Sequence, residues 1–148
     1  MNIRKGIKKD IPRALELIIE LASFEKSEDE VMTTVESMEK DGFGSNSLFE
    51  FYVAENDTEI IGIALFYYRY STWKGRRLYL EDLVVTETER RRGVGKMLLD
   101  KLIEHAKSHD CSGVVWQVLD WNKSAIDFYK KTYNAKIDGE WLGCSVEI

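Results

Sequence analysis

The sequence predicts a mixed α/β fold, one central sheet with helices packed on it, and three observations carry this reading. Aromatic and β-branched runs recur along the chain as strands. Segments with a 3.6-residue apolar period lie between them. Their order is strand, two helices, three strands, helix, strand, helix, strand, which gives a sheet with helices against it.

Residues 3–7 read as the first strand. Asp10 is a fair N-cap and Pro12 sits in the first helical turn, where its missing N–H costs nothing; Leu15, Ile18, Ile19 and Ala22 then keep a helical period. A second, more polar helix is expected over residues 28–40, stopping at Asp41-Gly42. Residues 49–55 and 59–70 are strands, with Asn56-Asp57 as the turn between them. Residues 76–85 give another strand, with Leu78, Leu80, Leu83 and Val85 apolar. Its alternation slips a phase between Leu80 and Leu83, so a bulge is expected near Glu81-Asp82. Gly93 opens a long helix with the stripe Val94, Leu98, Leu99, Leu102, Ile103 and Ala106. A strand over 113–119, a helix over 123–132 and a closing strand over 141–148 complete the chain.

The 148 residues carry no repeat, low-complexity tract or linker, so a single domain over 1–148 is expected. Their net charge of −5 repels nucleic acid and anionic membranes and favours a cationic partner. Cys111 and Cys144 form neither a metal-ligand spacing nor a disulfide framework and read as reduced, buried thiols. The basic first 12 residues lack a signal-length apolar stretch, and the longest apolar run, 60–68, is too short to span a bilayer. A cytoplasmic protein is expected.

The strongest local signal is Arg90-Arg91-Arg92-Gly93-Val94-Gly95-Lys96, between a strand and a periodic helix. Unpaired N–H groups at a helix start, with glycines that let a ligand approach, suit a pyrophosphate. The spacing matches neither GxxxxGK[ST] nor GxGxxG, and a triple arginine alone is equally a solvated turn. Glu81-Asp82 is in the same way either an ordinary strand-end pair or a pair of carboxylates aimed into a cleft, and Tyr129 either helix core or a proton donor. His105 and His109 stand four apart, but without a third ligand they read as a solvated helix face and no metal is expected.

RxxGxG after a bulged strand resembles the acetyl-CoA loop of the GNAT acetyltransferase superfamily, whose order of elements is similar along the whole chain. Phe24-Glu25, Asp41-Gly42-Phe43-Gly44, Tyr67-Tyr68, Ser71-Thr72-Trp73-Lys74-Gly75-Arg76, Tyr79-Leu80-Glu81-Asp82, Leu119-Asp120-Trp121-Asn122 and Phe128-Tyr129 resemble the spermidine/spermine acetyltransferases, above all their thialysine branch. The resemblance implies a mixed sheet with a bulged strand and helices on both faces. It also implies transfer of acetyl from acetyl-CoA to a small cationic amine, and a homodimer.

By the same resemblance Leu83, Val84 and Val85 line the acetyl-pantetheine, and Arg90, Arg91, Arg92, Gly93, Val94, Gly95 and Lys96 hold the pyrophosphate. Asn122, Lys123, Ser124 and Ala125 contact the pantetheine arm. Tyr129 protonates the departing thiolate and Glu81 takes the amine proton. Phe24, Glu25, Trp73, Glu81 and Asp82 form the amine pocket, where an aromatic face beside carboxylates suits an ammonium. Arg91 stands where the family usually has glycine, and Ser71 where polyamine-acetylating members carry an acid. The latter favours a lysine-like amine, with Lys74 and Arg76 for its carboxylate. A polyamine acetyltransferase is the alternative; a non-catalytic acetyl-CoA-binding module would need neither Tyr129 nor the Glu81-Asp82 pair.

Overall fold

Three long strands dictate the centre of the molecule. In the computed structural model, which describes residues 1–148, β1 (Asn2–Lys5), β2 (Glu50–Glu55), β3 (Ile60–Ser71), β4 (Gly75–Val85) and β5 (Val114–Val115) form one sheet in that spatial order. β1 to β4 pair antiparallel and β5 joins β4 in parallel. The helices are α1 (Ile11–Phe24), α2 (Val35–Phe43), α3 (Val94–Ser108) and α4 (Lys123–Tyr133). The chain forms two compact units, Met1–Trp116 with the sheet and α1 to α3, and Gln117–Ile148 with α4.

Alternation along the strands divides the core of the first unit. Phe51, Val53, Ile63, Leu65 and Val84 point to one face and pack with Ile11, Ala14 and Leu17 of α1 and Met38 of α2. Tyr52, Phe66 and Tyr68 point to the other, where Tyr52 and Tyr68 bond His105 of α3. Helices therefore cover both faces, as expected. No helix is long and apolar enough to cross a membrane.

Local chemistry sets the turns. Asn56 Oδ1 accepts the N–H groups of Thr58 and Glu59 at 3.0 and 2.8 Å between β2 and β3. Ser71 Oγ accepts those of Trp73 and Lys74 at 3.2 and 3.1 Å, and Gly75 takes φ +80° to close the β3–β4 hairpin.

The structure corrects the sequence reading at several places. Glu28–Glu30 is one 3₁₀ turn, and α2 starts only at Val35. There Thr34 and Ser37 exchange backbone-to-side-chain bonds of 2.9 and 3.0 Å, a capping box that fixes the start. Asp10 precedes α1 but does not cap it; its buried carboxylate accepts from Ile7 N–H at 2.8 Å and pairs with Arg4 at 2.8 Å. The expected strand over 113–119 shrinks to Val114–Val115, which pair with Leu78 and Tyr79. The next β4 residues, Leu80 and Glu81, enter the bulge, where the regular ladder is interrupted. Residues 141–148 form no strand, with Leu142 and Val146 exposed. Cys144 is exposed and Cys111 half-buried, so neither is a core thiol.

Of the two histidines expected on a solvated face, His109 is exposed but His105 is not. His105 is buried, with Nδ1 2.8 Å from Tyr52 Oη and Nε2 2.6 Å from Tyr68 Oη, and stacks on His109 with centroids 3.9 Å apart. The tyrosines satisfy both ring nitrogens, and burial holds the imidazole below its ordinary pKa.

Candidate active site

The expected bulge is present, and it organises the acids. Leu65 pairs with Asp82 while Phe66 pairs with Leu80, so Glu81 is the extra residue. Without it, alternation would send Glu81 and Asp82 to opposite faces. With it, Asp82 returns to the α1 side of the sheet, the side of Leu65, Tyr67 and Tyr79. Glu25, the residue after α1, faces the same group.

This crowding has an electrostatic result. Burial first, then the charges of Glu81 and Glu25, push the Asp82 carboxyl up to about 6. Burial also raises the Glu25 carboxyl. Tyr67 Oη donates to Glu81 Oε2 at 3.3 Å, and its ring lies 5.4 Å from that of Tyr79. Burial and the Glu81 charge push the Tyr67 hydroxyl up to about 12, so it stays a donor at neutral pH. The result is a half-buried acidic cluster walled by two tyrosines, complementary to an ammonium.

β4 also has an open backbone edge. Its pairing with β5 stops at Tyr79, so Leu83, Val84 and Val85 have a ladder partner only on the β3 side. Past their end, Gly93 takes φ +80° and α3 begins without a side-chain cap. The first intrahelical bond of α3 runs from Met97 N–H to Gly93 O, leaving the preceding N–H groups at a positive helix end. A Cβ at Gly93 meets nothing within 4 Å, and one at Gly95 meets only Val85 at 3.8 Å. Packing therefore does not demand glycine at Gly95. A helix start with free N–H groups has the chemistry to receive an anion.

The loop's side chains are not equivalent. Arg91 is exposed at φ +64°; Arg92 pairs with Glu89 at 3.1 Å and Lys96 with Asp100 at 2.7 Å. Arg90 donates Nε–H to Val85 O at 2.9 Å and lies over the Phe24 ring at 5.5 Å. Phe24 thus sits beside the loop, while its neighbour Glu25 faces the acids.

Trp73 is not brought to the acids within the chain. It is 85% exposed at the hairpin tip, and the six steps from Gly75 to Glu81 span about 20 Å of extended strand. In the second unit, Asn122 Oδ1 caps α4 by accepting Ala125 N–H at 3.3 Å, so Lys123, Ser124 and Ala125 form the first turn. Tyr129 follows on α4, its ring 5.5 Å from that of Phe128. The contact of Tyr67 with Glu81 was missed in the sequence, although Tyr67-Tyr68 stood out there. Only the register Tyr67↔Tyr79 reveals it.

With this geometry in place, the comparisons with known proteins are decisive for the class. Residues 15–135 match the acetyltransferase (GNAT) family, and the chain belongs to that family of acetyltransferases. Within it, the chain is 40% identical over 136 residues to thialysine N-epsilon-acetyltransferase of Bos taurus, covering 86% of this chain and 80% of the relative. The enzyme of that name from Caenorhabditis elegans is 41% identical over 115 residues, 78% of this chain and 71% of the relative. Spermidine/spermine N(1)-acetyltransferase-like protein 1 of Homo sapiens is 36% identical over 135 residues, 86% of this chain but 19% of that protein. Among solved structures, an aminoglycoside acetyltransferase from an uncultured soil metagenomic sample superposes with TM-score 0.81 at 20% identity. That match covers 99% of this chain and 96% of the other and concerns the fold alone.

Proposed function

We propose that the protein transfers the acetyl group of acetyl-CoA to the side-chain amine of thialysine or a similar lysine-like amino acid. The observation that carries this reading is the bulge that sets Glu81 and Asp82 together, where burial and the neighbouring carboxylates push the Asp82 carboxyl up to about 6. An alkylammonium has a pKa of about 10.4 and must lose its proton before it attacks. The carboxylate pair holds the ammonium and takes that proton. The neutral nitrogen then bonds to the acetyl carbonyl carbon, and a β4 backbone N–H stabilises the oxyanion. Collapse breaks the carbon–sulfur bond, and Tyr129 donates its proton to the departing thiolate. The second proton, lost from the nitrogen as the amide forms, goes to solvent, from which the tyrosine is reprotonated. Leu83, Val84 and Val85 hold the pantetheine, and the Gly93–Gly95 backbone holds the pyrophosphate. The identity with the thialysine enzymes supports the choice of amine. Incubation with acetyl-CoA and thialysine should yield free CoA and Nε-acetylated product by mass spectrometry; absence of both contradicts the reading.

A polyamine is the second reading, supported by the acidic cluster and the human relative. A homodimer is part of the proposal. The hairpin carries Arg69, Lys74, Arg76 and Arg77 and no acid between Phe66 and Leu80, so it complements the acidic cluster of a second copy. Docked there, Trp73 reaches an amine that it cannot reach within its own chain. Sedimentation at micromolar concentration should give a dimer; a monomer alone contradicts this part.

A further inference from the structure

The entry to the cofactor loop is held by a carboxylate from α1. Glu20 Oε2 accepts from Thr86 Oγ1 at 3.0 Å, and Glu20 Oε1 accepts from Glu87 N–H at 2.8 Å. The same Oε1 lies 3.6 Å from Arg90 Nη2. Arg90 is also bonded to Val85 O and set over Phe24. Glu20 is half-buried, and its three partners all lie between the end of β4 and the first arginine of the loop.

We infer that Glu20 is a positioning residue for acetyl-CoA binding, and that Arg90 braces the loop instead of contacting the pyrophosphate. The inference rests on the proposed use of acetyl-CoA. Two physical arguments carry it. A phosphate approaching Arg90 meets a guanidinium already paired with a carboxylate, whose negative charge repels it. Next, the chain turns left-handed at Arg91, φ +64°, and at Gly93, φ +80°. A non-glycine residue there is strained by about 1–2 kcal/mol and keeps that conformation only where its surroundings over-determine it. The three-way grip of Glu20, ending one residue before Arg91, is that constraint. It fixes where the α3 N–H groups point, and the phosphate charge falls to them and to the exposed Arg91.

The sign of one substitution separates this from a phosphate-binding Arg90. Calorimetry with acetyl-CoA is run on the wild type, E20Q, E20A and E20A/R90Q, with circular dichroism confirming the fold of each. Glu20→Ala should weaken binding by about tenfold, the loss of charge-assisted bonds. Glu20→Gln, which still accepts from Glu87 N–H, should weaken it less, and adding R90Q to E20A should cost nothing more. At saturating acetyl-CoA the amine KM and kcat of E20A should match the wild type, which a general loss of structure would not allow. Equal or tighter binding by E20A, or a further loss in E20A/R90Q, overturns the inference while leaving the function intact. A wild type that does not bind acetyl-CoA overturns both.

Discussion

Tyr67 on β3 donates its hydroxyl to Glu81 on β4, Oη to Oε2 at 3.3 Å, and Glu81 is the residue that the bulge expels from the ladder. A side chain with no cross-strand partner has no packing to fix it, so this bond orients the carboxylate. Tyr67→Phe keeps the ring against Tyr79 and removes only the donor. It should lower kcat/KM for the amine by about 3–10-fold, the worth of one partly exposed hydrogen bond, with an unchanged melting temperature. Steady-state kinetics beside a melting curve checks both.

The raised Asp82 carboxyl gives an acid limb. Below about 6 the group is protonated, so kcat/KM for the amine should fall as pH drops through that value, and Asp82→Asn should abolish the limb. Stability runs the other way. A folded pKa raised above the ordinary 3.8 means that the folded protein binds the proton more tightly, so the ionised group costs stability above about pH 6. At pH 8, Asp82→Asn should therefore be more stable by about 1–2 kcal/mol, less than the full shift because solvent screens a half-buried group. That gain should vanish below pH 4. Melting curves at pH 8 and pH 3.5 measure it.

Gly95 lies in the first turn of α3 with room for a side chain. Gly95→Ala should leave the protein as stable or stabilise it by up to about 1 kcal/mol, the helix preference for alanine. Acetyl-CoA binding should weaken by tenfold or more because the methyl fills the ligand's space. Denaturant unfolding and calorimetry on the one variant test these opposite signs.

Tyr129→Phe isolates the hydroxyl. Turnover should fall by about 10²–10⁴-fold with acetyl-CoA affinity unchanged. A fall of less than about threefold assigns the proton to water or another group.

Period and turn chemistry made most of this legible in the sequence. The phase slip after Leu80 revealed the bulge because its alternation is local, and the Val94–Ala106 stripe revealed α3 in the same way. What depends on register or partners was not legible. The tie of Tyr67 to Glu81 needs the β3–β4 register, and that of Glu20 to Arg90 joins residues 70 apart in sequence. The i, i+4 histidines looked solvated because two tyrosines from β2 and β3 bury and satisfy His105, which helical spacing does not show. Trp73 was placed beside the acids by resemblance, but its own hairpin carries it away from them.

The central claim is the amine. Initial rates with saturating acetyl-CoA give kcat/KM for thialysine, lysine, spermidine and spermine on one enzyme preparation. Thialysine should exceed spermidine by tenfold or more, about 1.4 kcal/mol of transition-state discrimination, because the proposed pocket pairs the acidic cluster with the hairpin cations of a second copy, which attract a carboxylate that polyamines lack. A tenfold preference for spermidine would contradict the lysine-like reading and make the protein a polyamine acetyltransferase.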